Sequence, residues 1–158
     1  MKRLLLVIGP LLLANHGASA ATTAGASALA MASLVADRSP LLNLNEKTVL
    51  ARLFDGNFSF TFPAQQKIQV RADSVVCRSS DVDIALHGCT LTFGKHTVAL
   101  KGRRAHELYA TVAEAGVPSH GAAGSIYEAL SHLVCTVDPH QVRQRGGGGA
   151  DCSFDPGP

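Results

Sequence analysis

The chain has no tryptophan, and its only tyrosines are Tyr109 and Tyr127. A carbohydrate or base-stacking platform needs several flat aromatic faces, so neither is indicated. Charge is scarce as well, at 16% of residues. Without Lys2 and Arg3, the remaining 12 basic side chains face 12 acidic ones. That balance supplies neither a nucleic-acid footprint nor a surface held to anionic lipid. Beyond the first residues no apolar run is long enough to span a bilayer. There is no Cys-x-x-Cys, Gly-x-Ser-x-Gly or His-Glu-x-x-His. The common zinc-finger, hydrolase and metalloprotease signatures are therefore missing.

What is present begins with an export pattern. Lys2 and Arg3 precede an apolar run from Leu4 to Leu13, and Ala18-Ser19-Ala20 offers a small-residue cleavage site. Residues 1–20 read as a secretory signal peptide. Residues 21–40 are mostly Ala, Ser and Thr with no clear apolar period, which predicts a disordered or weakly helical leader. Residues 41–155 have the size of one domain. Cys77, Cys89, Cys135 and Cys152 all fall inside it. An even count behind a signal peptide predicts two disulfides. Of three possible pairings the sequence-local one, Cys77–Cys89 with Cys135–Cys152, is expected. A tight turn at Ser79-Ser80 would carry Cys77 away from Cys89, beyond the roughly 7 Å that a disulfide can bridge. The local pairing therefore requires a wider loop after Cys77.

The clearest element is a hairpin. Gly94-Lys95 separates two alternating runs, as a two-residue turn with glycine first requires. Placing Phe93 opposite His96 puts Cys89, Leu91 and Phe93 on one face with His96, Val98 and Leu100. Before it, Asn45 is expected to cap a short helix carrying Val49, Leu50, Leu53 and Phe54 and ending at Gly56. Phe58, Phe60 and Phe62 alternate along an expected strand. A strand from Lys67 to Cys77 changes phase near Asp73-Ser74, which suggests a bulge. A similar break is expected at His87-Gly88. Residues 103–115 form an amphipathic helix. A second helix, capped by Ser119 and carrying Ile126, Ala129, Leu130 and Leu133 inward, would complete an αα-hairpin. Val134 to Val137 reads as a strand, and Gly146 to Gly149 as a mobile loop unless pinned. The expected architecture is α+β: an antiparallel sheet of about four to six strands, packed against an αα-hairpin and one short N-terminal helix, with two disulfides.

Few residues stand out as functional. The Phe58, Phe60, Phe62 stripe packs a core or grips a partner. Arg103 and Arg104 start a helix, where the macrodipole disfavours cations, and so hint at an acidic partner. Glu128 and His132, four apart on the expected second helix, could act as acid and base. The small residues around Gly121 to Ser125 lack the lysine and spacing of a phosphate loop. No metal set or cofactor is indicated. The expectation is an exported domain, periplasmic or secreted, that binds a protein or small ligand without catalysis and is of binding or inhibitor type. The alternative is a small exported hydrolase using a His/carboxylate pair.

Overall fold

One long strand organises the sheet. β6 (Ser125–Val137) runs antiparallel to β2 (Ile68–Arg78) on one side. On its other side β5 (Ser119–Ala122) pairs its first part and β7 (Ala150–Pro156) its second. β1 (Ala21–Ala24) adds outside β7, and β3 (Gly88–Phe93) and β4 (His96–Lys101) add outside β2. Among the described residues the order is β1-β7-β6-β2-β3-β4, seven strands with β5, and every pairing is antiparallel. Among the described residues four helices accompany them: α1 (Ala26–Arg38), α2 (Leu44–Phe54), α3 (Gly102–Glu114) and α4 (Pro139–Arg145). The computed structural model describes residues 20–59, 61, 66–79, 87–122, 125–145 and 148–157. The fold is α+β, with one more helix and one more strand than the sequence suggested. Among the described residues no helix is long and apolar enough to cross a membrane.

The expected leader is instead structural. Residues 21–24 are β1, and α1 is the most deeply packed helix of the domain. Ala28, Leu29, Met31, Ala32, Ser33, Leu34, Val35 and Ala36 are all buried. α1 lies against β2, β6 and β7 and is covered by α2 and α3. A helix enclosed on every side has no polar face, so it shows no apolar period. Its alanines and serines let neighbours approach closely, and that composition reads as a linker when taken alone.

The expected αα-hairpin is absent: its second helix is the β5–β6 hairpin. Glu128 and Leu130 are buried, then Leu133, Cys135 and Val137, so inward positions change parity at Ser131-His132. The register against β7 shifts at the same place. A strand whose parity breaks once yields apolar spacings of three and four, which imitate a helix. β2 changes parity in step, from Val70 and Ala72 to Val75 and Cys77, at the expected Asp73-Ser74 position. His132 accommodates the bulge with φ 51°, unusual for a residue with a side chain.

The β3–β4 hairpin has Phe93 opposite His96, with φ 58° at Gly94. Cys89, Leu91, Phe93 and Leu100 are buried. α2 is not the first helix. Asn43, not Asn45, caps it: the Asn43 side chain accepts from the Glu46 N–H, and Glu46 accepts from the Asn43 N–H, both at 2.9 Å. α4 was not anticipated; Asp138 Oδ1 accepts from the His140 and Gln141 amides and Pro139 starts it. The glycine run is pinned where it is described, since the Asp138 N–H bonds the Gly149 carbonyl at 2.8 Å.

Both local disulfides are present, Cys77–Cys89 and Cys135–Cys152. Each joins directly opposed residues of neighbouring strands, β2 with β3 and β6 with β7. β2 ends at Arg78 and β3 starts at Gly88, and residues 80–86 between them lie outside the described residues. The second expected phase break, which rests on residues 82–86, lies outside the described residues.

Candidate functional site

Beside the bulge lies a concavity with an apolar floor. A groove of about 560 Å³ lies where β2, β6 and the β3–β4 turn meet. Ala72, Phe93 and Leu133 form the floor; each is buried in the core beneath. Leu41, from the α1–α2 connection, stands at the side and is 64% exposed. Arg71, Lys95, His96 and His132 line the rest, with Asp73 as the one carboxylate. Asp73 is occupied by the Gly94 N–H of the hairpin turn. Arg71 donates to the neutral Gln69 side chain at 2.7 and 3.0 Å. The groove is thus apolar below and cationic around. A further hollow of about 430 Å³ sits between α2 and the start of β2, with Val49, Arg52 and Ile68 in its lining.

A polar strip lies elsewhere, under α3. Glu128 points inward from β6 and is only 1% exposed. Ser119 Oγ donates to Glu128 Oε1 at 2.8 Å. Burial raises the Glu128 pKa above the usual carboxylate range, and hydrogen bonding from Ser119 and Tyr109 opposes that rise. The Tyr109 effect is a weak one, since no hydrogen bond of normal length reaches Oε2. Tyr109 continues the strip to His87, ring centres 6.2 Å apart. His87 in turn faces His106, Nδ1 to Nδ1 3.2 Å.

The residues singled out in the sequence do not converge. Glu128 and His132 are not on one helix face. Glu128 is buried with the core, whereas the His132 side chain is 76% exposed and pairs with Asp155 at 2.9 Å. Arg103 is exposed and pairs with Glu107 at 3.2 Å. Arg104 reaches Asp37 at 3.6 Å, joining the start of α3 to the end of α1. Phe58 lies outside any regular element and packs, half-buried, against the core. Phe60 and Phe62 lie outside the described residues. All four cysteines are consumed in disulfides.

Sequence reasoning missed the groove, because Leu41, Arg71, Lys95 and Leu133 come together only through the sheet. Reading Glu128 in phase with Leu130 along a strand would have placed it inside. Among the described residues no three His, Cys, Asp or Glu side chains gather as a metal cluster. Compared with known proteins, the chain matches no family model, no curated protein and no solved structure.

Proposed function

We propose that the chain is an exported, disulfide-tied domain of binding or inhibitor type, without catalysis, that meets its partner at the groove beside the β6 bulge. Export is supported by the positive, apolar, small-residue order of residues 1–20 and by two disulfides, which persist in oxidising compartments. Cleavage after Ala20 would leave β1 whole, since it starts at Ala21. The observation that carries the binding reading is Leu41, a large apolar side chain left exposed over a floor of Ala72, Phe93 and Leu133. Exposed apolar surface of this kind, rimmed by polar groups, marks interaction sites. The test compares the oxidised domain with Leu41→Asp against the exported proteins and extracts of its host. The wild type should retain a specific ligand, and the variant should lose it with unchanged circular dichroism. Equal retention by both, or none by either, would discard the groove.

The hydrolase reading has one observation in its favour: His132, which lines the groove, forms a His/carboxylate pair with Asp155. Among the described residues no hydroxyl or thiol is hydrogen-bonded to His132, so the pair has no nucleophile to activate. Chromogenic esters should be turned over no faster by the wild type than by His132→Ala.

A further inference from the structure

We propose that His87 and His106 form a two-imidazole site for a divalent late transition-metal ion, with solvent completing the coordination. The two Nδ1 atoms are 3.2 Å apart. A tetrahedral ion with metal–nitrogen bonds of 2.0–2.1 Å holds two of its ligand nitrogens about 3.3 Å apart. The rings are steeply inclined, at 77°, with centres only 4.7 Å apart. Two imidazoles facing each other end to end across a straight N–H···N bond would set their centres wider. The short centre spacing means that the ring axes are bent off the line joining the two Nδ1 atoms, as an ion shared off that line requires.

The supports are rigid. His87 directly precedes β3, is 8% exposed, and its carbonyl accepts the Gly102 N–H at 3.1 Å. His106 is on α3, whose neighbours Ala105 and Leu108 are buried. The Cys77–Cys89 disulfide begins two residues after His87. Little rearrangement is therefore needed to bind. His106 is half-buried, which leaves one side of the site open to water. The pair itself offers two imidazole nitrogens. Such a set suits copper, nickel and zinc and gives calcium or magnesium nothing to hold. Without metal, one ring donates its Nδ1 proton to the other. Binding needs both Nδ1 lone pairs, so that proton moves to Nε2 and no net charge is lost. Acid, which protonates an imidazole, competes with the ion.

The test uses the purified chain with disulfides intact, titrated with Cu(II) and Zn(II). Cu(II) should bind at one stoichiometric site, with paramagnetic resonance showing coupling to two imidazole nitrogens, and more tightly than Zn(II). His106→Ala, at a half-buried helix position, should keep the fold and weaken binding roughly tenfold or more. Unchanged affinity in His106→Ala, or no saturable binding by the wild type, would overturn the site and leave the pair a shared-proton contact.

Discussion

At the scale of one residue, Glu128 is the sharpest case. Its carboxyl sits inside the core under α3, and burial raises its folded pKa above the ordinary unfolded value. The folded state therefore holds a proton that the unfolded state releases more readily. The stability this group contributes is complete below the ordinary glutamate range and is lost as pH rises through the raised folded value. Glu128→Gln keeps the shape and the acceptor for Ser119 but removes the ionisation. The variant should be more stable than the wild type at neutral pH, and its stability should fall less between acid and neutral pH. Urea unfolding across that range measures both; a wild type that gains stability on going from acid to neutral pH, with the variant flat, contradicts the assignment.

At the scale of the element, the bulge of β6 decides which side chains face the core on either side of it. His132 holds φ 51° so that the inward set can pass from Leu130 to Leu133 without losing the sheet. Histidine tolerates this conformation better than branched residues do. His132→Val should destabilise the domain by about 1–2 kcal/mol through backbone strain, read from the midpoint of denaturant unfolding. An unaltered midpoint would mean the strand relaxes there at no cost. The same bulge explains which elements were legible in the sequence. The β3–β4 hairpin and α3 keep one period from end to end, so the pattern of Cys89, Leu91 and Phe93, or of Ala105, Leu108 and Val112, identifies the element directly. β6 changes parity midway and imitates a helix. α1 is apolar and small on all sides and imitates a linker. The groove was illegible for a further reason: Leu41, Phe93 and Leu133 are neighbours only through three-dimensional packing, which no local period records.

At the scale of the molecule, the two disulfides divide the labour. Cys77–Cys89 ties the β3–β4 side to β2, and Cys135–Cys152 ties β7 to β6. β7 supports more than the chain's last residues, because it pairs β1 on its outer edge and packs beneath α1, with Phe154 fully buried. Replacing Cys135 and Cys152 together by alanine should cost about 2–5 kcal/mol. Under limited proteolysis the first new cuts should fall in residues 139–153 and in 20–25, while the β3–β4 hairpin stays intact. Cuts appearing first in the hairpin would show that the second disulfide does not act locally.

The place of β7 in the sheet also fixes when this chain can fold. It is the last of the seven strands in sequence, yet it lies inside the sheet between the first strand and β6. While residues 150–156 are still being synthesised, β1 has nothing to pair with, and α1 lacks part of the surface on which its apolar side chains close. The part of the core where α1 closes on β7 therefore forms only once residues 150–156 are present.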